Sequence, residues 1–263
     1  MKVSTLIRHA QEGFQQVVSK TNLQKNIESE IAQAISEENL NPAQVANIVR
    51  KKGYILFKDV LSRTLMDKMS QEFRSIIDYK RNDFSGLDLH DGSVCVRVKP
   101  LLNIQNLFQL PTILSFYNTD SFRAITNEFY GDSEGRIEYM SEVFVHETPE
   151  TKEPLSGKLH WDRAQTLKFW VYVDDVPEEA GPMLIEPDST NRNRDLRKQL
   201  VEQSKVGLKG GKDNLVMDPF EELIALSAGK GSILIHDTDA SHGASEVRPG
   251  FTRMIVRGHC RQV

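Results

Sequence analysis

The sequence predicts a mainly β fold with flanking helices, in which two sheets close into a barrel of the jelly-roll type. Three observations predict it. Short runs rich in β-branched and aromatic residues recur at 93–99, 137–145, 167–173, 183–186, 232–236 and 253–257, with turn residues between them. Most of them crowd the C-terminal half without the alternating helices that a βαβ fold requires. Helix-favouring text is concentrated in the first 80 or so residues and in an interruption at 111–130, so the helices should pack outside the barrel.

Residues 10–52 are polar and helix-favouring, with a 3.6-residue periodicity through Ile27, Ile31, Ala34 and Ile35, and form an N-terminal helical layer over residues 1–52. Asn41-Pro42 is a helix start, a cap followed by proline at the first helical position, and Val45, Ile48 and Val49 make its apolar stripe. Gly53 closes it. A buried strand is expected over residues 54–61, and Ser62 then caps a helix bearing Leu65, Met69, Phe73, Ile76 and Ile77. The charged, glycine-containing stretch 191–230 interrupts the strand runs and reads either as a lid or as a disordered insert, with one or two helical turns within 219–226.

Composition limits the function classes. With 263 residues, 39% of them hydrophobic and 27% charged, the chain suits one globular domain over 1–263. A net charge of -4 from interspersed acids and bases gives no field for a polyanion, so nucleic acid is not an expected partner. No apolar run reaches the ~18 residues of a spanning helix, and the first nine residues contain no apolar signal core, which reads as a soluble cytosolic protein without a membrane partner. The two cysteines, Cys95 and Cys260, lack CxxC spacing and suggest neither a disulfide framework nor a zinc knuckle.

The sharpest local feature is Leu159-His160-Trp161-Asp162. On a strand, side chains alternate, so His160 and Asp162 share a face while Trp161 takes the other. An imidazole and a carboxylate can then reach one metal. A distal segment, Gly231-Ser232-Ile233-Leu234-Ile235-His236-Asp237-Thr238-Asp239-Ala240-Ser241-His242, runs from a strand into a turn ending in histidine, and a closed sheet can bring that turn beside His160. Two histidines and one carboxylate on one face of an octahedron suit oxygen-activating iron(II), whereas zinc prefers a closed tetrahedral set that commonly includes cysteine. His236 follows the same apolar run as His242 and is the rival third ligand.

In these blocks the chain resembles the phytanoyl-CoA dioxygenase (PhyH-like) family of Fe(II)/2-oxoglutarate-dependent oxygenases. The resemblance is carried by the opening Gly53-Tyr54-Ile55-Leu56-Phe57-Lys58-Asp59-Val60-Leu61-Ser62, by His160-Trp161-Asp162, and by Phe169-Trp170-Val171-Tyr172-Val173-Asp174-Asp175-Val176. Glu179-Ala180-Gly181-Pro182-Met183, Gly231-Ser232, His242-Gly243 and Arg253, eleven residues after His242, complete it over residues 53–258. It implies a double-stranded β-helix (cupin-like) catalytic region over 53–258, iron held by His160, Asp162 and His242, and Arg253 on the distal carboxylate of 2-oxoglutarate. Arginine's planar fork matches a carboxylate and stays charged inside a barrel. Trp170 aligns with a tryptophan lining the cosubstrate pocket. The implied reaction couples oxidative decarboxylation of 2-oxoglutarate by O2, giving succinate and CO2, to oxidation of a substrate C–H bond.

Two departures are local. Pro187-Asp188-Ser189-Thr190 stands where the family has a Pro-Gly-Ser-His turn, and Ala244 replaces a serine two residues past the distal histidine. Because the iron-bound carboxylate is present as Asp162, no coordination position is left for chloride and halogenation is disfavoured. Lys99, before Pro100, is either a cosubstrate contact or a solvated lysine; Arg163, Gln165 and Lys168 either meet a polar substrate or lie exposed at a strand edge. His146 and His259 read as ordinary histidines, and Arg257, nearer the end of its strand than Arg253, as solvated. The expected partner is a small polar metabolite or a natural-product or sugar intermediate, since no extended basic patch marks a CoA phosphate site. An acyl-CoA hydroxylase and a non-catalytic metal-binding jelly roll remain the alternatives.

Overall fold

Helix α1 (Asn22–Glu37) buries Ile27, Ile31, Ala34 and Ile35, the periodic stripe read from the sequence. Helix α2 (Pro42–Lys52) starts on a reciprocal cap, in which Asn41 Oδ1 accepts from the Gln44 amide at 3.0 Å and Gln44 Oε1 from the Asn41 amide at 2.9 Å. Gly53 ends it at φ 91°, donating its amide to the Val49 carbonyl at 2.9 Å. A Cβ at Gly53 would lie 2.7 Å from the Ala240 Cβ, so glycine here also admits the turn that leads to His242. In this computed structural model the described residues are 22–82, 87–90, 93–96, 110–117, 119–131, 137–147, 159–162, 164–204, 215–216 and 221–262.

The remaining elements are β1 (Tyr54–Phe57), α3 (Arg63–Asn82), β2 (Leu87–His90), β3 (Ser93–Val96), α4 (Pro111–Tyr117), α5 (Asp120–Tyr130), β4 (Ile137–Glu147), β5 (His160–Trp161), β6 (Leu167–Tyr172) and β7 (Met183–Ile185). They continue as α6 (Thr190–Ser204), β8 (Leu215–Val216), β9 (Ile224–Ala225), β10 (Ile233–Asp237), β11 (His242–Ala244) and β12 (Thr252–Gln262). A main sheet has the strand order β1-β10-β6-β12-β4, and a second sheet the order β8-β5-β11-β7-β9. Neighbouring strands pair antiparallel throughout both.

Period-two alternation on the main sheet sorts its side chains between two cores. Phe169, Val171, Ile233, Ile235, Met254, Val256 and Cys260 face the helices, against Ile27, Val49, Met66, Phe116 and Phe122. Trp170, Tyr172, Leu234 and Ile255 face the second sheet, where they meet Met183, Ile185, Ala180 and Leu226. Each large apolar side chain so buried contributes about 1.5–3 kcal/mol relative to exposure. The barrel interior is therefore a second core into which the polar members of the same alternation also project.

Several boundaries differ from expectation. Strand β1 stops at Phe57 rather than residue 61, because Asp59 takes φ 55° and turns the chain. Strand β12 runs to Gln262, since β4 pairs with it along its full length, so Arg257 lies mid-strand. The 191–230 stretch opens with helix α6, and Ile224–Ala225 is a strand paired with β7 where a helical turn was expected. Lys99 and Arg163 lie outside the described residues.

Candidate metal centre

Register brings the candidate ligands together. Strand β11 pairs with β5 so that His242 lies directly opposite His160, their ring centroids 4.5 Å apart. Asp162 follows β5 immediately, and its amide donates to the Thr238 carbonyl at 3.0 Å, which fixes the carboxylate at the mouth between the two sheets. Asp162 Oδ1 stands 3.7 Å from His160 Nε2 and 3.8 Å from His242 Nε2, and the three donor atoms all lie within 4.8 Å of one another. His236 is not part of this set. Its ring stands edge-on to that of His242, 5.1 Å between centroids.

Protonation suits ligation. His242 Nδ1 lies 2.8 Å from the Ala240 carbonyl, which can only accept, so Nδ1 carries the proton and Nε2 presents its lone pair. Burial pushes the His242 imidazole down to about 3, against the pull of Asp162, and so keeps it neutral. Burial alone would push the Asp162 carboxyl up, but the Lys168 ammonium bonded to it outweighs burial and holds it well below the usual carboxylate range. The site offers a carboxylate and, in His242, a neutral imidazole, as a divalent cation requires.

Inward of this set lies a polar lining. His236 is fully buried with neither ring nitrogen hydrogen-bonded, and it stands edge-on to Trp170 at 5.6 Å. The Trp170 indole N–H is likewise buried without a partner. Unpartnered buried polar atoms are costly, so these three nitrogens fit a pocket that receives a polar group from outside the chain. Arg253 is 3% exposed, one row beyond the pair Tyr172 and Ile255, and its Nη1 donates to the Gly181 carbonyl. Arg257 pairs in register with Trp170 and sets its guanidinium 5.5 Å from that ring; its mid-strand place half-buries it where a solvated side chain was expected.

Helix α6 closes the back of the site. Arg192 forms a two-point pair with the fully buried Glu186, at 2.9 and 2.5 Å. Arg194 binds Asp239 at 2.9 Å and also Asp237, while Arg197 binds Asp239 and donates to the Asp162 carbonyl at 2.7 Å. Asn193 Nδ2 donates to the Asp239 carbonyl at 2.8 Å and Ser241 Oγ at 2.9 Å. The turn 237–241, which delivers His242, is thus held from α6. In the departed Pro187-Asp188-Ser189-Thr190 turn, Ser189 Oγ accepts from the Ser241 amide and Thr190 Oγ1 donates to the Arg50 carbonyl.

Residues 143–255 match the family model described as phytanoyl-CoA dioxygenase (PhyH). Over this segment, under half of the chain, the sequence is similar to the phytanoyl-CoA dioxygenase family. The matched segment contains His160, Asp162, Trp170, His242 and Arg253. Among solved structures the chain is similar to the non-heme alpha ketoglutarate dependent carbocyclase SnoK from nogalamycin biosynthesis, at 20% identity, TM-score 0.55, covering 86% of this chain and 85% of that one. It is similar also to the epimerase SnoN from the same biosynthesis, at 16% identity, TM-score 0.56 and coverage of 84% and 82%. EvdO2 from Micromonospora carbonacea var. aurantiaca, complexed with 2-oxoglutarate, matches at 15% identity, TM-score 0.51 and coverage of 83% and 91%. These likenesses show the fold, the jelly-roll core with flanking helices. A comparison with curated proteins gives no match.

Two features escaped sequence reading. Lys168, read as a strand-edge or substrate-facing residue, is 6% exposed and bonded to Asp162, because β6 is a central strand of the main sheet. The arginines of α6 carried a signal in their spacing: 194 and 197 are three apart, on one helix face. Their acidic partners lie some 40 residues on, which hid the pairing. No helix among the described residues is long and apolar enough to cross a membrane.

Proposed function

We propose that the protein is an Fe(II)- and 2-oxoglutarate-dependent oxygenase acting on a small polar metabolite or a natural-product or sugar intermediate. The observation that carries this reading is the set of His160, Asp162 and His242, whose donor atoms converge within 4.8 Å at the mouth of a PhyH-family jelly roll. Two imidazoles and one carboxylate suit iron(II) with open positions better than zinc, and Cys260 faces the helical core. Bound there, iron would supply oxidative decarboxylation of 2-oxoglutarate by O2, giving succinate and CO2, coupled to oxidation of a substrate C–H bond.

The chain's own residues do the rest. Ala240 holds the His242 tautomer, and α6 holds the turn on which both sit. Arg253, charged and buried beside Tyr172, is the proposed partner of the distal carboxylate of 2-oxoglutarate, with the Trp170 indole N–H along the way. Trp170, Tyr172, Leu234 and Ile255 wall the interior and keep water from the reacting centre. The carbocyclase and epimerase among the similar structures support a C–H oxidation whose outcome need not be hydroxylation. Anaerobic titration of the protein with iron(II) and 2-oxoglutarate should develop a visible metal-to-ligand charge-transfer band, and a metabolite panel should then show substrate-dependent succinate. If the band fails to form with saturating iron and cosubstrate, the proposal is wrong.

A further inference from the structure

We propose that Lys168 is a positioning residue of this metal centre, holding the outer oxygen of Asp162 so that the carboxylate has one oxygen left for a metal; the inference rests on the metal reading above. The geometry divides the two oxygens of Asp162. Oδ1 faces His160 and His242 at 3.7 and 3.8 Å, and Oδ2 accepts from Lys168 Nζ at 2.8 Å. The lysine side chain is 8% exposed and that of Asp162 17%.

An ammonium in that position is costly to desolvate, and its pairing with Asp162 offsets the cost. Its strand neighbours explain how it arrives there. Lys168 pairs in register with His236 on β10 and with His259 on β12, so period two points it into the barrel, next to Trp170 on the same strand. Without Lys168, nothing among the described contacts would restrain Oδ2. The carboxyl torsion of aspartate is broad and two-fold, so a freed carboxylate can turn to offer both oxygens to the metal. Two-oxygen ligation would close one of the positions that a two-histidine, one-carboxylate set leaves open for cosubstrate and O2. The lysine therefore keeps a coordination position vacant.

The test uses the full chain loaded with Mn(II), whose water-proton relaxivity counts the waters bound to the metal. Lys168→Met, which keeps the aliphatic stem and removes the charge, should lose about one in three of those waters. It should bind 2-oxoglutarate several-fold more weakly, while Lys168→Arg restores both. A purely structural lysine would leave relaxivity unchanged in folded Lys168→Met, and that result overturns the proposal. Should Lys168→Met fail to fold, the infrared difference spectrum of wild type carrying 13C-carboxyl aspartate decides on Mn(II) loading. A wide separation of the carboxylate stretches supports one-oxygen ligation, and a narrow one overturns it. Wild type that binds no Mn(II) overturns the metal reading itself and is seen separately, before any variant is made.

Discussion

Replacing Arg197 with Met tests whether α6 is a working part of the metal centre. Arg197 binds the fully buried Asp239, donates to the Asp162 carbonyl at 2.7 Å and places its guanidinium 4.9 Å from the Trp161 ring. Losing a charged hydrogen bond to a buried carboxylate costs about 1.5–3 kcal/mol, the carbonyl bond about 1 kcal/mol, and the cation-π contact about 0.5–1 kcal/mol. Asp239 keeps Arg194, methionine keeps much of the stem packing, and the Arg197 side chain is 18% exposed, so the sum contracts to about 2–3 kcal/mol. For a chain of this length that corresponds to roughly 4–6 °C in Tm. Because Arg197 ties Asp162 to the turn that carries His242, divalent-metal affinity should also fall about 10–100-fold. Calorimetry with and without Mn(II), alongside direct metal titration, reads both effects. Lys198→Met, which breaks an exposed pair with Asp195, is the silent control. A Tm shift under about 2 °C with unchanged metal affinity in Arg197→Met would refute the clamp.

Other perturbations separate the remaining roles. His242→Ala should abolish metal binding, whereas His236→Ala should weaken it by no more than ~10–100-fold, and the reverse ranking would move the third ligand to His236. Arg253→Lys should weaken 2-oxoglutarate binding by about 1–3 kcal/mol at unchanged metal affinity, as titrated through the charge-transfer band. Arg257→Lys should cost less, and a larger loss there would transfer the carboxylate anchor to the residue stacked on Trp170. Gly181 has φ 69°, and a Cβ there would lie 2.6 Å from the Ser245 carbonyl, so Gly181→Ala should destabilise by at least about 2 kcal/mol in chemical unfolding; a neutral result would mean that the 179–183 turn relaxes freely.

Local signals were enough for much of this protein. Asn41-Pro42 and Gly53 bound a helix wherever they occur, because capping is settled within a few residues. The apolar runs at 167–173 and 232–236 are strands because their side chains suit a sheet buried on both faces. His160-x-Asp162 shares a face by strand geometry alone, and the eleven-residue step from His242 to Arg253 is a property of the chain. Tertiary structure decided which groups meet across the gap. Strand register chose His242 over His236 to stand opposite His160, a difference of six residues that no periodicity resolves. It also extended β12 far enough to carry Arg257 inward, made β6 central so that Lys168 reaches Asp162, and docked α6 through Asp237 and Asp239. Ion pairs between residues some 40 positions apart depend on where the backbone is delivered. Composition and spacing supplied the charges, and only the closure of two sheets supplied the distances.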